Sequence, residues 1–576
     1  MMKKQLFIAL LLTAFQPLAA VERTEAEMAA IARQQLLGAG VKGLSGTATQ
    51  MTCVKRSSSY SIYSPVQGDG FVVVSHDEAV RPVLGYSRTR FRPDNISCGM
   101  KWWMEATEAG LQMRKKAPKM ENEESMTFEP VAPMMTTKWA QSEPFNNLTP
   151  TFDDKHALTG CVATSLSQVL NYNCYPASAT FRGYYFDTTP ADDYSNAITI
   201  DVNSTYSWPL LDAYGNYWPD GYKDQYDWKT IEFSEEQALQ VATLMRDCGY
   251  AVGMQYSSVG AGSSLRNASV ALTSCFSYPQ ASVEYYNRFY YSNKEWMKMI
   301  HDELANGYPV LYSGIDLKTG GHAFIFHGMN EDGLVYVNWG WAGHEDGYYS
   351  IDYLPTEIGN FATAQEMIIG IRPQALIGET QHSHFVTDDN YVFSYKSVNH
   401  NESAVNVKFN QPFFNLSCNE FNGYIYIVAE DIEDGTVLTS DFFDGLVNVA
   451  FSSGYAASER WAKMTFTPNH EYRVYMASQA SNEEVPSPFR VPGGAIYYKA
   501  TVNGDGIPTF DVEPQPLLTN VRALREEPVA NGITRVYDIQ GHLIHTSPST
   551  TFNQWDIPVH GVFVVKEGNR CRKIVR

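Results

Sequence analysis

The residues of this chain that could do chemistry begin with a cysteine at the start of a helical pattern. The segment TGCVATSLSQVL (159–170) carries apolar side chains at helical spacing, namely Val162, Leu166, Val169 and Leu170. Gly160 and Cys161 therefore lie where the helix begins. A thiol in the first helical turn faces unpaired backbone N–H groups, which stabilise the thiolate and lower the thiol pKa. Although most free cysteines are buried apolar residues, this position predicts that Cys161 is a nucleophile.

A cysteine nucleophile needs a base that takes its proton and a third group that orients the base. The segment HAFIFHG (322–328) is predicted to be a strand, on which His322 and His327 point to opposite faces. A hairpin then returns Asn338 and Trp339 alongside His322. An asparagine amide can accept a hydrogen bond from the imidazole, and an indole can shield that bond from water. We therefore interpret His322 as the base and Asn338 with Trp339 as its support.

An acyl-transfer site also needs donors for the oxyanion that forms when the thiolate attacks a carbonyl. The backbone N–H of Cys161 supplies one donor, and a side-chain amide shortly upstream can supply a second. Gln141, in the segment KWAQSEPFNN twenty residues before the cysteine, is the candidate. A glutamine in a polar loop is usually solvated, so this assignment depends on its neighbours.

The elements that must position these residues mix helices with strands. SEEQALQVATLMRDCG (234–249) begins with a capping box, Ser234 and Gln237, and NKEWMKMIHDELANG (293–307) is the next predicted helix. From Pro309 the pattern changes to strands, with a turn at 330–333. These features predict an α+β domain.

Three separated segments resemble the streptopain-like cysteine peptidases, secreted bacterial enzymes with a papain-like fold. They are WAQSEPFN (139–146), GCVATSLSQVLNYNCYP (160–176) and GHAFIFHGMNEDGLVYVNWGWAGHEDGYY (321–349), and they occur in the family's order. The resemblance implies that Cys161 is the nucleophile, His322 the base and Gln141 the oxyanion amide. It also implies that Asn338 and Trp339 support the histidine.

The same resemblance points to a substrate-binding loop. The segment MQYSSVGAGSSL (254–265) is similar to the family's loop on the non-primed side of the substrate. The resemblance implies that substrate is bound there by Ser257, Ser258, Gly260, Gly262 and Ser263, together with Gly321 beside the base. A flexible surface loop is the alternative interpretation. The family further implies an endopeptidase that prefers an apolar P2 residue.

The chain is predicted to contain five regions. Residues 1–20 have the pattern of a secretory signal peptide, with Lys3 and Lys4 before an apolar run. Residues 21–117 form an inhibitory propeptide, since FVVVSHDEAVRPVLGYS (71–87) resembles the family's prodomain and a charged linker, cleavable at 113–125, follows it. A papain-like α+β peptidase domain occupies 118–375. A β-sandwich domain at 376–515 and a β-rich tail at 516–576 complete the prediction.

The tail resembles the sorting tails of the type IX secretion system. VYDIQGHLI (536–544) and HGVFVVKEGNRCRKIVR (560–576) are two hairpin-like units that end in a basic cluster on an acidic protein. A charge reversal of this kind suits docking to an acidic receptor. The resemblance implies secretion machinery at the outer membrane as a partner, and a secreted or cell-surface location reached through the periplasm.

Charge and cysteine content exclude several other classes of protein. The formal net charge of −20 argues against nucleic acid as a partner. The sequence has no HExxH, paired CxxC or EF-hand motif, so no metal or other cofactor is expected. Cys53 could pair with Cys98, and Cys248 with Cys275, whereas Cys174 is predicted to be a buried structural thiol.

Two alternatives to a zymogen that cleaves protein or peptide substrates are considered. A transglutaminase-like acyl transferase would use cysteine and histidine with an aspartate, but the third position here is Asn338. A non-catalytic surface adhesin on a peptidase fold would be indicated by loss of Cys161, His322 or Gln141. All three are present, so the sequence favours a cysteine endopeptidase inhibited by its own propeptide.

Overall fold

A computed structural model of the chain divides into two compact units, Met1–Pro93 and Asp94–Arg576. The structure describes residues 22–44, 49–116, 126–187, 196–215, 234–316, 320–354, 365–375, 382–399, 402–483, 485–517, 533–538, 543–548, 562–567 and 570–575. The predicted signal peptide and most of the predicted linker lie outside the described residues. Among the helices that are described, none is long and apolar enough to cross a membrane.

The first unit packs one helix against an antiparallel sheet. Its elements are α1 (Glu25–Gly38), β1 (Met51–Arg56), β2 (Tyr60–Pro65), β3 (Phe71–Ser75) and β4 (Val83–Ser87), and the strands lie in that order in the sheet. Thr24 and Glu27 form a capping box that starts α1. Met28, Ala32 and Leu36 recur every fourth residue and are buried, so one face of α1 covers the sheet.

The second unit contains the remaining helices. They are α2 (Cys98–Lys116), α3 (Cys161–Asn173), α4 (Trp208–Gly215), α5 (Glu235–Ala251), α6 (Leu265–Ser274) and α7 (Asn293–Ala305). The capping box predicted for Ser234 and Gln237 is confirmed at the start of α5. The end predicted for that helix at Gly249 is wrong by two residues, because Val252 rather than Gly249 caps it.

The peptidase region contains a central antiparallel sheet and three separate strand pairs, β5-β6, β7-β8 and β9-β10. Its strands are β5 (Thr151–Phe152), β6 (Lys155–His156), β7 (Ser178–Tyr185), β8 (Ile198–Thr205), β9 (Gln255–Tyr256), β10 (Ala261–Gly262), β11 (Glu284–Asn287), β12 (Val310–Asp316), β13 (Gly320–Met329), β14 (Val335–Asn338), β15 (Gly347–Tyr349) and β16 (Gln365–Ile369). The central sheet has the order β15-β14-β13-β12-β16-β11. The turn predicted at 330–333 is confirmed between β13 and β14, where the Gly333 N–H donates to the Asn330 carbonyl (3.0 Å).

Helix α3 lies against one face of this sheet. Val162, Leu166 and Val169 of α3 share a buried cluster with Ala323 and Ile325 of β13. Because side chains alternate along a strand, His322 and Phe324 emerge on the opposite face. The sheet therefore presents one face to the nucleophile helix and the other face to different neighbours.

The region after residue 382 is a β-sandwich, as predicted. Its strands are β17 (Phe385–Thr387), β18 (Tyr391–Asn399), β19 (Glu402–Phe409), β20 (Phe413–Asn415), β21 (Phe421–Asp431), β22 (Val437–Asp441), β23 (Val447–Val449), β24 (Gly454–Tyr455), β25 (Glu459–Lys463), β26 (Glu471–Ala480), β27 (Ser487–Pro488), β28 (Arg490–Val491), β29 (Gly494–Val502), β30 (Pro508–Phe510) and β31 (Gln515–Leu517). One sheet has the order β22-β21-β26-β29-β28-β17-β20-β24, and β18-β19-β25 forms a second. Both sheets contribute to one aromatic-rich core.

Arg490 joins this β-sandwich to the peptidase region. Its guanidinium donates to Glu295 (2.9 Å) and to the Tyr290 carbonyl (3.0 Å), and it lies 3.9 Å from the centre of the Tyr291 ring. Arg490 is only 7% exposed. A buried, paired cation with an aromatic contact indicates that the two regions pack as one body.

The C-terminal tail forms its own antiparallel sheet. Strands β32 (Ile533–Asp538), β33 (Leu543–Pro548), β34 (Val562–Glu567) and β35 (Arg570–Val575) take the order β33-β32-β34-β35. The two hairpins predicted from the sequence are therefore confirmed as strand pairs.

Seven cysteines are free thiols in this structure, namely Cys53, Cys98, Cys161, Cys174, Cys248, Cys275 and Cys418. The disulfides considered for Cys53 with Cys98 and for Cys248 with Cys275 are therefore not formed in it. Cys53 and Cys98 belong to different compact units, and buried Cys248 hydrogen-bonds Ser167 of α3 instead. Cys174 ends α3 in the left-handed conformation and is partly buried, as expected for a structural thiol.

Candidate active site

Cys161 is the first residue of α3, and glycine at position 160 permits this geometry. Gly160 has φ of 86° and ψ of 142°, a conformation open essentially to glycine. A Cβ there would also lie 2.7 Å from the Sδ and Cε atoms of Met254. The predicted position of the thiol at the helix start is confirmed.

The expected direction of the Cys161 pKa is wrong for this form of the protein. Burial raises the thiol pKa above its ordinary value. The backbone N–H groups of Ala323, Val162 and Cys161 oppose this effect, but they are weaker than the burial. The thiol is therefore held neutral here. The sequence showed the helix start but could not show what covers it.

The thiol lies at the beginning of strand β13, close to the backbone of the predicted base, whose side chain leaves the opposite face of the sheet. The Ala323 backbone N–H hydrogen-bonds the Cys161 sulfur, and His322 is the preceding residue. His322 is directly opposite Gly314 of β12, so their Cβ directions share one face of the sheet. A Cβ on Gly314 would overlap the Trp102 indole of α2. The Trp102 side chain therefore occupies the space beside His322.

His327 has a structural role instead. Its ring is 3% exposed, and its Nδ1 accepts a hydrogen bond from the Met135 N–H (3.2 Å). Burial lowers the pKa of His327 to about 3. A neutral, buried and bonded imidazole fits a core histidine, which agrees with the choice of His322 as the base.

Gln141 is tied to the nucleophile segment through its backbone. Its carbonyl accepts from the Thr159 N–H (3.0 Å), two residues before Cys161. In the described part of the chain, no hydrogen bond engages the Gln141 side-chain amide, which is 8% exposed. A side-chain amide that has no hydrogen-bond partner, on a segment bonded to the residues just before the thiol, is suited to receive a substrate oxyanion.

Asn338 does not orient His322 in this structure. Its Nδ2 donates to the Thr137 carbonyl (2.8 Å) and to Gln168 (3.0 Å), and its Oδ1 accepts from the Gly340 N–H (2.9 Å). The strand register places Asn338 opposite Ile325 rather than opposite His322. The support predicted for the base is thus not assembled here, because other backbone and side-chain groups occupy the amide.

Trp339 is held between the sheet and two acidic residues. Its Nε1 donates to the Glu345 carbonyl (3.1 Å), its N–H donates to Asp346 (3.0 Å), and its ring packs on Phe324 (4.9 Å between centroids). A Cβ on Gly99 of α2 would lie 2.5 Å from the same indole. Trp339 therefore contacts the helix that precedes the peptidase region.

The predicted substrate loop lies beside the nucleophile. A Cβ on Gly160 would be 3.3 Å from the Ala261 carbonyl, so the hairpin of β9 and β10 flanks Cys161. Ser257 closes that hairpin by bonding Gly260, and the exposed positions of the set are Ser258, Gly262 and Gly321. Ser263 is already engaged by the Val252 carbonyl (2.6 Å), so its hydroxyl has a structural partner.

Three residues near the candidate active site were not identified from the sequence. They are Gln168 on α3 and the buried pair Glu345 and Asp346, whose pKa values burial raises to about 7. The Glu345 carboxylate accepts a hydrogen bond from the Ser97 N–H (2.9 Å) at the start of α2. GHEDGYY resembles an exposed polar turn, and nothing in its pattern indicates burial.

A cation site is not supported by the one candidate cluster in the described residues. Asp431, Asp434 and His470 of the β-sandwich have ligand atoms within 4.8 Å of one another. However, His470 Nδ1 hydrogen-bonds Asp431 (2.7 Å), and this bond raises the His470 pKa. Both aspartates also accept from backbone N–H groups of their turn. Their hydrogen bonds therefore account for the cluster.

Comparisons with known proteins agree with this arrangement. The model of the Peptidase C10 family matches residues 139–349, and that of the Spi protease inhibitor matches residues 20–110. Streptopain of Streptococcus pyogenes is 31% identical over 333 residues, covering 53% of this chain and 78% of streptopain. The first match spans all three catalytic segments predicted from the sequence, and the second spans the predicted prodomain strands.

Two further relatives extend the comparison. Thiol protease/hemagglutinin PrtT of Porphyromonas gingivalis is 29% identical over 383 residues, which is 61% of this chain and 42% of PrtT. The chain therefore spans less than half the length of PrtT. A solved fragment of Prevotella intermedia prointerpain A is 33% identical, with a TM-score of 0.49, and the match covers 57% of this chain and 100% of the fragment.

Proposed function

The chain belongs to the Peptidase C10 family, and from that premise we propose that it is a secreted cysteine endopeptidase made as a zymogen. One observation carries the proposal. The Cys161 sulfur lies at the N–H of Ala323, the residue after His322. The Gln141 backbone carbonyl bonds Thr159 of the nucleophile segment, and within the described residues its side-chain amide has no hydrogen bond. These residues are suited to hydrolyse the peptide bonds of protein and peptide substrates.

In the reaction, His322 removes the Cys161 proton and the thiolate attacks the scissile carbonyl carbon. The Gln141 amide and the Cys161 backbone N–H donate hydrogen bonds to the oxyanion. The oxyanion then collapses, the C–N bond breaks, and His322 gives its proton to the leaving amine. Water, deprotonated by His322, hydrolyses the thioester and regenerates the thiol. Once the inhibitory helix has left, Trp339 shields the base, and Asn338 supports it through the turn that carries Trp339, because its own amide is bonded to Thr137 and Gln168.

Helix α2 inhibits the enzyme in the precursor. Its Trp102 fills the space beside His322, its Gly99 packs on Trp339, and Ser97 at its start donates to Glu345. Most of α2 lies inside the segment matched by the inhibitor family. These contacts touch the base and the turn that supports it, so they block the catalytic geometry without occupying the thiol.

Substrate binds along the hairpin beside Cys161. Ser257, Ser258, Gly260, Gly262, Ser263 and Gly321 form this surface, and an apolar P2 residue is preferred. The proposal is supported by the exposure of three of these positions and by the approach of Ala261 to Gly160. Ser263 acts by bracing the hairpin, because its hydroxyl is bonded to Val252.

Export uses two signals, the N-terminal peptide 1–20 and the tail 516–576, which docks on type IX secretion machinery. The proposed sorting role of the tail is supported by its separate four-stranded sheet. Deleting 516–576 should leave an active enzyme in the periplasm of the host. Normal levels of the truncated protein in the medium or at the cell surface would overturn the sorting role.

Casein hydrolysis tests the proposed activity. The processed enzyme should cleave casein in the presence of a reducing agent and should lose this activity when treated with an epoxide thiol inhibitor. Cleavage that needs no thiol, or no cleavage by fully processed enzyme, would contradict the proposal.

A further inference from the structure

Gln168 is a buried amide on the nucleophile helix, seven residues after Cys161 and 0% exposed. Its Oε1 accepts hydrogen bonds from the Trp139 N–H (3.3 Å) and from Asn338 Nδ2 (3.0 Å). Its Nε2 donates to Asn338 Oδ1 (3.4 Å). One side chain therefore bonds two other segments of the active site.

Each of these segments carries a proposed functional group. Trp139 is two residues before Gln141, and Asn338 immediately precedes Trp339. Asn338 also donates to the Thr137 carbonyl (2.8 Å), so the same amide links Gln168 to the segment that precedes Trp139. A Cβ on Gly340 would lie 3.3 Å from Thr164 Cγ2, which leaves little room there for rearrangement.

Gln168 is a buried polar residue on a helix whose apolar residues Leu166, Val169 and Leu170 belong to the core cluster. A buried polar network is costly unless every member is bonded, but when it is bonded it specifies one arrangement. An apolar residue of similar size would fill the same volume and leave the Trp139 N–H without its partner.

We propose that Gln168 is a positioning residue that fixes the Gln141 segment and the Asn338–Trp339 turn relative to Cys161. This inference rests on the proposed peptidase function and deepens it. The oxyanion donor must lie within hydrogen-bonding distance of the reacting carbonyl, and a shift of about 1 Å can cost about 10²-fold in rate. Gln168 prevents that shift from inside the helix that carries the nucleophile.

The Gln168→Leu variant tests the proposal in the full chain. A tagged wild-type enzyme processes the variant in trans and is then removed. We expect kcat for a peptide substrate to fall by about 10- to 100-fold while KM changes by less than about threefold. Affinity for a peptide aldehyde, whose adduct carries an oxyanion, should fall in parallel. Alkylation of Cys161 by iodoacetamide should be nearly unchanged.

Ser167→Ala is the matched control. Ser167 is the adjacent residue of α3 and is also 0% exposed, and its hydroxyl bonds the Ala163 carbonyl (2.7 Å). It also hydrogen-bonds Cys248, but neither Trp139 nor Asn338. This variant loses buried hydrogen bonds from the same helix, so it reports general destabilisation. Its kcat should stay within about twofold of the wild-type value.

Two further variants separate positioning from folding. Gln168→Glu keeps the acceptor oxygen and, when protonated, a donor, so it should recover most of the lost kcat. Combining Gln168→Leu with Gln141→Ala should be about as slow as Gln141→Ala alone, because both changes remove the same donor from the oxyanion. If Gln168→Leu does not fold, Gln168→Glu tests the positioning role instead. Its kcat should fall as the pH rises, because the buried carboxyl ionises and can no longer donate.

The outcomes distinguish this inference from the proposed function. An active wild-type enzyme with an equally active, folded Gln168→Leu variant would overturn the positioning role alone. Fully additive losses in the double variant, or a Gln168→Glu variant with the wild-type pH profile, would also overturn it. An inactive wild-type enzyme would instead contradict the proposed function.

Discussion

At the residue scale, the chemistry depends on small groups that act only when they are correctly placed. Cys161 has the helix-start position that favours a thiolate, yet burial keeps its thiol neutral in the precursor. His322 precedes Ala323, whose N–H bonds the thiol, but the His322 side chain lies on the face of the sheet that Trp102 covers. Activation must therefore change the surroundings of the imidazole before it can reach the thiol.

Gln141→Ala should lower kcat by about 10²-fold with little effect on KM, because one oxyanion donor is worth about that much in the transition state. Ser142→Ala, on an exposed neighbour in the same turn, is the control and should leave kcat unchanged. Steady-state kinetics on a peptide substrate measure both values. A Gln141→Ala enzyme with wild-type kcat would remove this side chain from the oxyanion site.

Single residues were partly predictable from the sequence. The helix-start position of Cys161 follows from local spacing, whereas the catalytic roles of Cys161 and Gln141 stay predictions. The predicted direction of the Cys161 pKa shift was wrong because burial comes from distant segments. The predicted contact of Asn338 with the base is not formed in this structure, because Gln168 and Thr137 bond its amide. Neither effect leaves a periodic signal in the sequence.

At the element scale, helix α2 packs on the strands beside the proposed base through a few large contacts. Trp102 packs on Gly314 and on Phe324, with 5.6 Å between the ring centroids. Trp103 donates from its indole to the Ser350 carbonyl (2.8 Å). These contacts attach the helix to the strands that carry the base.

Trp102→Ala should weaken inhibition, because the indole is replaced by a void on the Gly314 face. A buried tryptophan truncated to alanine typically costs about 3–5 kcal/mol. We expect the precursor to mature faster than wild type, as measured by the time course of casein cleavage. Glu105→Ala, on an exposed position of the same helix, should mature at the wild-type rate. Slower or unchanged maturation of Trp102→Ala would contradict this role.

The burial of Glu345 next to the start of α2 should make prodomain binding depend on pH. Burial raises the pKa of Glu345 to about 7, although both hydrogen bonds from Ser97 lower it. A carboxyl whose pKa is raised in the complex stabilises the complex below its ordinary pKa, and this stabilisation is lost as pH rises through 7. The pKa of Asp346 shifts in the same direction, but its carboxylate accepts from the Trp339 N–H of the peptidase region rather than from α2.

Gel filtration of a Cys161→Ala precursor, cut in its linker by an unrelated protease, measures this dependence. Between about pH 4.5 and 7 the retained fraction of prodomain should fall, and above that range it should level off. Glu345→Gln should flatten the curve. A retained fraction that rises with pH, or an unchanged curve for Glu345→Gln, would contradict the role of this carboxyl.

Elements were more predictable than residues. The capping boxes and the strand turn appear in the sequence because their hydrogen bonds are local. The face of the sheet that α2 covers is set by Gly314, Phe324 and Trp339, which come from distant positions. Such contacts have no sequence spacing that could indicate them.

At the scale of the whole molecule, the peptidase region and β-sandwich should remain together after maturation. Arg490 is buried between Glu295, the Tyr290 carbonyl and the Tyr291 ring. Removing the sandwich would leave the Glu295 carboxylate without this cation. The predicted order of domains stays a prediction, but this interface argues that the mature enzyme carries more than the peptidase domain.

Processing should be autocatalytic. A Cys161→Ala precursor made alone, in a host free of other extracellular proteases, should stay at full precursor size, because no nucleophile can cut the linker. Adding a small amount of wild-type enzyme should convert it. Gel electrophoresis checks both outcomes. Normal maturation of the variant alone would mean that another protease performs the cleavage.

The central claim is that Cys161 is the nucleophile, and mass spectrometry of inhibitor-treated enzyme tests it most directly. A peptidyl epoxide should attach to Cys161, and complete labelling should coincide with complete loss of casein hydrolysis. Cys174, partly buried at the other end of α3, should carry no adduct, and Cys174→Ala should be inhibited at the wild-type rate. Loss of activity with the adduct on another residue, or hydrolysis by a fully labelled enzyme, would contradict the account.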